Sequence, residues 1–316
     1  MKPLSALADC NEYVMTGDLD LSHECRRRIL VWCAQPIPSD GDPPVCFETV
    51  MVHVDIDGKS NGRIQVALRV ADWFSSNLIG ISAALLPPYP AETGYFVTLE
   101  AIERERRDVE AALACAEASF RNIADADQKG LEWRSDIELP EFYVVSEARA
   151  ADLLVLGRQG ADVARSLDAG GVVLRAGRPV LVVPPNVDTL SAMRVVVGWK
   201  DNREARRALR DALPFLERAE AVIIVEVNDA ASETEPLVHA GDVVRYLARH
   251  NVQAGPTIAA HPKGGVADEL IRLATAERAD LIVAGAYGHS RLGEWAFGGV
   301  TRDLLTSSPV CCLLSH

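Results

Sequence analysis

The apolar and polar positions of this 316-residue chain follow two alternating patterns. Short continuous apolar runs, such as 221–225 and 281–284, are typical of strands that are buried on both faces of a sheet. Other segments carry an apolar stripe at helical spacing, as from about 203 to 216, which indicates a half-buried helix. Because strands alternate with helices, the pattern predicts an α/β fold with a parallel sheet and right-handed crossovers.

The second half of the chain shows this pattern in full. It predicts strands near 193–198, 220–226, 254–259, 280–284 and 309–314, and helices near 203–216, 235–249, 264–278 and 299–307. The first half follows the same order, with a longer charged helix near 98–125 and a shorter third crossover near 142–150.

The two halves also repeat each other in sequence. Residues 151–160 and 279–288 both read Ala-Asp-Leu-x-Val-x-Gly-x-x-Gly, and a second pair of glycines follows each motif at the same distance. Each half then closes on a proline and an apolar strand. A tandem duplication explains these matches. We therefore predict two doubly wound domains, at 46–186 and 187–316, each a five-stranded parallel sheet flanked by helices.

Residues 1–45 belong to neither repeat. They show no sustained periodicity, and the stretch 36–44 is rich in proline, aspartate and glycine. We expect a poorly ordered N-terminal arm. A translation start placed too far upstream would produce the same pattern.

Charge and hydropathy limit the classes of partner. The formal net charge is −13 and the isoelectric point is near 5.0, so the average field of the protein repels nucleic acids and anionic membranes. No apolar run approaches the roughly 18 residues of a membrane span, and no secretory signal stands at the N-terminus. We expect a cytoplasmic protein without nucleic-acid or membrane partners.

Cysteine and histidine give no sign of a metal or redox site. The seven cysteines include no Cys-x-x-Cys pair, and the seven histidines are scattered without metal-ligand spacing. Cys311 and Cys312 fall in a predicted strand, where neighbouring side chains point to opposite faces. We therefore predict reduced structural thiols and no metal site.

A glycine-rich loop follows the predicted strand at 280–284, at the sheet edge where doubly wound folds bind ligands. Glycines let backbone amides approach an anion, and the start of the next helix adds unpaired N–H groups. The alternative is that the glycines only permit tight turns and close helix packing. The candidate binding residues of this loop are four glycines and three polar side chains: Gly285, Gly288, Gly298, Gly299, His289, Arg291 and Thr301.

This loop carries a family resemblance. The pattern Gly-x-x-Gly, nine residues, then Gly and a small residue, between the fourth strand and fourth helix of each repeat, resembles the universal stress protein family. The segments 196–205 and 297–302 look like its tandem, two-domain bacterial members. The resemblance covers about 46–316 and implies a strand order of 3-2-1-4-5, a stress-linked role without established catalysis, and ATP at this loop in some members. For the first half it implies the same loop at Gly157, Gly160, Gly170 and Gly171.

The chain departs from the ATP-binding members of that family. Those members resemble Gly-x-x-Gly-x9-Gly-Ser/Thr, with an aspartate near the adenosine at the end of the first strand. Here Gly171 and Gly299 replace the hydroxyl residue. The first half keeps the aspartate as Asp55 but has a loop with further aspartates, including Asp168, whereas Lys200 stands at the aligned position in the second half. Asp55 also suits the role of a helix cap or turn residue.

Motifs of common catalytic sites are absent from the sequence, including the P-loop, the nucleophile elbow and His-Glu-x-x-His. We predict a non-catalytic stress-response or signalling module that binds ATP or another adenine nucleotide weakly at the glycine loops. Two alternatives stay open. One is a purely structural or interaction protein with vestigial loops, and the other is a slow ATP hydrolase.

The last strand of each half, at 180–183 and 310–314, would leave an apolar sheet edge, and such edges are usually paired or covered. The family resemblance implies that this strand pairs two domains. We expect the two domains to form a pseudo-dimer within the chain, and a homodimer would then use other surfaces.

Overall fold

The computed structural model describes residues 46–86, 98–124, 130–158, 167–228, 235–260, 265–288 and 299–316. All of these residues belong to one compact unit. The predicted N-terminal arm, 1–45, lies outside the described residues.

The first half of the chain contains five strands and four helices in alternating order. They are β1 (Thr49–His53), α1 (Asn61–Phe74), β2 (Asn77–Ala83), α2 (Leu99–Ile123), β3 (Leu131–Asp136), α3 (Pro140–Glu147), β4 (Leu153–Gly157), α4 (Ala169–Arg175) and β5 (Val180–Val183). A short 3-10 turn, Ala148–Ala150, follows α3.

The second half repeats this order with one additional short helix. Its elements are β6 (Arg194–Trp199), α5 (Arg203–Asp211), α6 (Leu213–Leu216), β7 (Ala221–Asn228), α7 (Glu235–Arg249), β8 (Ala254–Ala260), α8 (Val266–Ala276), β9 (Leu281–Gly285), α9 (Gly299–Ser307) and β10 (Cys311–Ser315). The single helix predicted near 203–216 is divided because Pro214 lacks an N–H and its ring conflicts with the carbonyl four residues earlier.

The ten strands form one sheet in the order β3-β2-β1-β4-β5-β10-β9-β6-β7-β8. Neighbouring strands are parallel except β5 and β10, which are antiparallel. The α/β class is confirmed, but the two predicted five-stranded sheets are halves of one continuous sheet. The physical reason is that β5 and β10 are apolar and each satisfies the unpaired backbone groups of the other.

The pairing of β5 with β10 is symmetric. Leu181 lies opposite Leu313, with Val180 opposite Leu314 and Val182 opposite Cys312. Leu181 and Leu313 are also equivalent positions of the repeat, because each half aligns its fourth and fifth strands in the same register. The two halves are therefore related by an approximate two-fold axis through this pair, as in an isologous dimer contact. As a consequence, their strands point in opposite directions and their carboxyl ends lie at opposite edges of the sheet.

Two apolar layers cover the faces of the sheet, and each layer extends through both halves. Cys311 belongs to one layer and Cys312 to the other, so adjacent thiols point to opposite faces. Burial raises the pKa of both thiols, that of Cys312 to about 12, which keeps them protonated and unreactive. Within the described part of the chain, no helix has both the length and the apolarity needed to cross a membrane.

We predict that Leu181→Ala and Leu313→Ala will each lower the free energy of unfolding by about 3 kcal/mol, because each removes buried side-chain volume at the junction of the two halves. Urea denaturation followed by circular dichroism measures this. Leu99→Ala is the control, because Leu99 is 70% exposed and its truncation should change stability by less than about 0.5 kcal/mol. Losses below about 1 kcal/mol at both junction positions would contradict a cooperative junction.

Candidate functional site

Each half of the sheet has a switch point, where the order of strands reverses between its first and fourth strands. In the first half this point lies between the carboxyl ends of β1 and β4, beside Asp55 and Gly157. In the second half it lies between β6 and β9, beside Lys200 and Gly285. Doubly wound sheets bind ligands in the crevice at this position, so the two switch points are the candidate sites.

An ion pair fills the first switch point. Arg63, in the first turn of α1, is only 7% exposed, and its Nη2 donates to Oδ2 of Asp55 at 2.5 Å and to Oγ of Ser60 at 2.6 Å. Gly157 ends β4 without a Cβ, and Nη1 of Arg63 lies against the position that a Cβ would take. The guanidinium of the chain itself therefore occupies the crevice between β1 and β4.

The charges of this cluster balance at neutral pH. His53 is buried, with its Nδ1 3.4 Å from Oδ1 of Asp55. Burial lowers the pKa of His53 to about 4, although Asp55 opposes the shift. Burial acts to raise the pKa of Asp55, but Arg63, His53 and Ser60 together outweigh burial and hold that pKa below its usual value. The cluster thus holds a neutral imidazole beside one carboxylate and one guanidinium.

Carboxylates also surround the start of α4 in the first half. Asp168 caps the helix, accepting a hydrogen bond from the Gly170 N–H at 3.0 Å. Gly171 faces the carboxylate of Glu141, which forms an ion pair with Arg175. A phosphate at this helix start would meet two negative side chains, which disfavours anion binding. The predicted loop residue Gly160 lies outside the described residues.

Two loop glycines of the second half permit close packing. A Cβ at Gly285 would lie 2.5 Å from the backbone nitrogen of Ala205, so α5 packs its first turn directly on the end of β9. A Cβ at Gly288 would overlap the side-chain amide of Asn202, which caps α5 by accepting from the Ala205 N–H at 2.9 Å. Both glycines therefore have a structural role that requires no ligand.

Thr301 and Gly299 differ in whether other residues of the fold already contact them. Thr301 is buried, and its hydroxyl accepts a hydrogen bond from the Tyr287 N–H at 3.2 Å. Gly299 begins α9, and a Cβ placed there would have no atom of the described residues within 4 Å. The start of α9 is thus open at Gly299. The predicted site residues His289, Arg291 and Gly298 lie outside the described residues.

A buried carboxylate stands near this second switch point. Glu204, in the first turn of α5, has its Oε2 3.1 Å from the position of a Cβ at Gly288 and is paired with Arg203. Burial acts to raise the pKa of Glu204, but the hydrogen bond and charge of Arg203, together with a backbone N–H and His316, outweigh burial and lower the pKa. Arg203 therefore compensates the charge of this carboxylate.

The two switch points differ most at one helix position. Arg63 is the third residue after the cap of α1 at Ser60, and Ala205 is the third residue after the cap of α5 at Asn202. An arginine fills the gap beside Gly157, whereas an alanine brings helix backbone onto Gly285. Sequence reasoning missed Arg63, yet a signal was present, because it shares the apolar helical stripe with Val66, Ala67 and Val70. A charged residue in such a stripe must find a buried partner.

Other features of the described residues offer no competing site. Concavities of about 460 and 450 Å³ lie near the two outer strands, one beside α7 and β8 and one at the amino ends of β1, β2 and β3. Neither is lined by a glycine-loop residue. Within the described residues, no group of three or more histidine, cysteine, aspartate or glutamate side chains has a geometry that could hold a metal ion.

Comparison with known proteins supports a family assignment for the second half. Residues 192–316 match the model of the universal stress protein family. Among curated protein sequences, none matches the chain.

The fold as a whole is similar to solved structures of comparable length. A universal stress protein from Archaeoglobus fulgidus DSM 4304 gives a TM-score of 0.62 at 13% identity, covering 85% of this chain and 98% of its own. For a functionally unknown protein from Pseudomonas aeruginosa PAO1 the TM-score is 0.54 at 15% identity, and the match covers 85% of this chain and 92% of that protein. For a protein from Pseudomonas aeruginosa UCBPP-PA14 the TM-score is 0.52 at 16% identity, and the match covers 85% of this chain and 93% of that protein. At these identities the likeness establishes a shared fold.

We predict that Arg63→Met will lower the free energy of unfolding by about 3 kcal/mol, because it leaves Asp55 charged and partly buried without its partner. Adding Asp55→Asn to this variant should recover part of the loss, since both charges are then removed. Chemical denaturation of the single and double variants measures the difference. The control is Arg69→Met, an exposed arginine of the same helix, which should change stability by less than about 0.5 kcal/mol. Equal losses at Arg63 and Arg69 would be inconsistent with a buried ion pair.

We also predict that His53 makes the protein less stable in mild acid. Its pKa is lowered from 6.5 in the unfolded chain to about 4 in the fold, so between these values the unfolded chain binds a proton that the folded chain does not. From pH 7 to pH 5 this contributes a loss of about 2 kcal/mol. The variant His53→Leu should show a correspondingly smaller loss when unfolding is measured at both pH values. An unchanged pH dependence would show that His53 is not the responsible group.

Proposed function

We propose that the chain is a two-domain universal stress protein, with domains at 46–186 and 187–316, whose second domain binds ATP or another adenine nucleotide. The match of residues 192–316 to the family model supports this assignment. The proposed site is the carboxyl edge formed by β6, β9 and the start of α9. The first domain, in this proposal, binds no nucleotide.

One contrast between the two halves carries the proposal. At the start of α9, no described residue comes within 4 Å of a Cβ at Gly299, whereas at the start of α4 the carboxylates of Asp168 and Glu141 face Gly170 and Gly171. The sequence position that matches Asp168 in the repeat is Ala296, which brings no charge. Backbone N–H groups at an open helix start favour an anionic phosphate.

Residues at the end of β6 suit the same ligand. Lys200 is exposed directly after β6, where the first half has Asp55. A lysine adds positive charge at the crevice and would favour the phosphate groups. Because Glu204 is paired with Arg203, its charge is compensated within the protein. We infer a site held mainly by backbone amides and one cation, of modest affinity because no hydroxyl residue follows Gly298.

A second candidate is an interaction module with vestigial loops. One observation favours it: Gly285, Gly288 and Thr301 all have packing or hydrogen-bonding roles without any ligand. In that case the glycines are retained for the fold alone. The two proposals differ in a single measurable property, which is nucleotide binding at α9.

We propose that the two domains act as a pseudo-dimer within one chain, supported by the antiparallel contact of β5 with β10. This contact uses the last strand of both domains. A homodimer of the whole chain would therefore need other surfaces. We propose a non-catalytic module, and turnover of ATP in the assay below would identify a slow hydrolase instead.

We predict that Gly299→Asp will raise the dissociation constant for ATP with Mg²⁺ about tenfold, since it places a carboxylate at the start of α9, and a carboxylate there repels phosphate. Isothermal titration calorimetry on nucleotide-stripped protein measures this. The matched control is Gly255→Asp, which adds the same charge at a glycine of β8 whose added Cβ would also have no atom within 4 Å. The control should bind ATP as the wild type does.

Each outcome of this titration separates the candidates. Binding that Gly299→Asp weakens and Gly255→Asp preserves supports the nucleotide site. Absence of wild-type binding at millimolar ATP, together with no nucleotide released on denaturing freshly purified protein, would leave the interaction module. Equal weakening by both variants would assign the effect to net charge and would count against a site at α9.

A further inference from the structure

In the part of the chain that the structure describes, the exposed large apolar side chains all belong to one edge of the sheet. Among the described residues there are five, and all belong to the first half: Ile56, Leu85, Leu99, Leu139 and Phe142. The second half has none among its described residues. We call these five side chains the apolar edge patch.

The topology brings the five residues together. Ile56 and Leu85 follow the carboxyl ends of β1 and β2, and Leu139 follows that of β3. These three strands are neighbours, with His53 opposite Ile81 and Ala83 opposite Asp136. Adjacent strands lie about 4.8 Å apart, so the three chain ends emerge side by side.

The two remaining members of the patch stand on helices that begin at this same edge. Leu99 is the first residue of α2, is 70% exposed and follows the cap at Thr98. Phe142 lies in the first turn of α3 and is 48% exposed, with the Arg175 guanidinium 4.9 Å from its ring centre. The patch therefore extends across the carboxyl edge from one helical layer to the other.

The patch is separate from the proposed nucleotide site. The first switch point, which opens at this edge, is filled by Arg63 and Asp55, so the exposed apolar side chains do not border an open ligand crevice. The second switch point lies at the opposite edge of the sheet. Several exposed large apolar side chains at one sheet edge, away from a ligand crevice, indicate a protein interaction site.

The charge around the patch identifies the chemistry of its partner. The described segments that carry it (55–60, 84–86, 98–103 and 136–142) contain seven carboxylates and one lysine. Asp55, Asp57 and Glu141 are engaged in ion pairs with cations of the same half. Glu100, Glu103 and Glu138 form no ion pair within the described part of the chain, so the patch carries uncompensated negative charge.

We propose that the apolar edge patch binds an amphipathic, basic helix of a partner protein, with apolar side chains on the patch and lysine or arginine beside Glu100, Glu103 and Glu138. This chemistry follows from charge complementarity around an apolar centre. A second copy of the chain would bring the same carboxylates together, and nucleic acids and anionic membranes would be repelled. The proposal goes beyond nucleotide binding and does not depend on it.

The probe is a fluorescein-labelled, 14-residue helical peptide of leucine and lysine, titrated with the full-length protein and followed by fluorescence anisotropy. The double variant Leu99→Ser/Phe142→Ser leaves the net charge unchanged, so a loss of binding reports the apolar contact. We expect this variant to bind the peptide about tenfold more weakly than the wild type. Thermal unfolding of the variant checks that it still folds. We expect it to fold because both side chains are exposed in the wild type.

Charge is tested with a matched pair of variants. Glu100→Gln/Glu138→Gln removes two carboxylates at the patch, and Glu217→Gln/Glu220→Gln removes two exposed carboxylates of the second half. We expect binding to weaken several-fold for the first pair at low salt and to stay unchanged for the second pair.

Three kinds of result would overturn the proposal. One is no binding of the leucine-lysine peptide by the wild type. Another is equal binding of a serine-lysine peptide of the same charge, or equal weakening by the two charge pairs, because either result assigns binding to the average field. The third is a wild-type dimer in light scattering that Leu99→Ser/Phe142→Ser converts to monomer, because the patch would then be covered by a second copy.

Discussion

The antiparallel pairing of β5 with β10 is the contact on which the rest of the structure depends. It joins two half-sheets into one, it satisfies two apolar strand edges at once, and it continues both apolar layers across the junction. Because Leu181 and Leu313 are equivalent positions of the repeat, the junction has the symmetry of a dimer contact formed within one chain. Because this pairing is antiparallel, the carboxyl ends of the strands lie at opposite edges of the sheet in the two halves. The two candidate sites therefore lie at opposite edges as well.

The two edges have diverged in chemistry. In the first half, Arg63 fills the switch point and pairs with Asp55, and Asp168 caps the helix that would otherwise present free N–H groups. That arrangement disfavours an anion, and the same edge exposes apolar side chains. In the second half, Ala205 replaces the arginine, and no described residue closes the helix start at Gly299. We interpret the chain as two copies of one fold in which one edge serves a partner protein and the other a small anionic ligand.

Much of the fold could be predicted from the sequence, because apolar periodicity depends on local spacing that the chain itself displays. The α/β class and the helix and strand positions follow from it, and the break at Pro214 was readable but was missed. The single ten-stranded sheet was harder to predict. An apolar last strand in each half indicates that its edge is covered, but not which strand covers it. The site was least predictable. That Arg63 reaches Gly157 depends on tertiary packing between α1 and β4, and the packing roles of Gly285 and Gly288 depend on where α5 begins.

The central claim is that only the second half binds a nucleotide, and the number of nucleotides bound at saturation tests it most directly. Native mass spectrometry of the full-length wild-type protein, titrated with ATP and Mg²⁺, counts the bound nucleotides on each chain. The account predicts that binding saturates at one nucleotide per chain, because Arg63 and Asp168 close the first switch point to phosphate. Saturation at two nucleotides per chain, or no bound nucleotide at millimolar ATP, would contradict it.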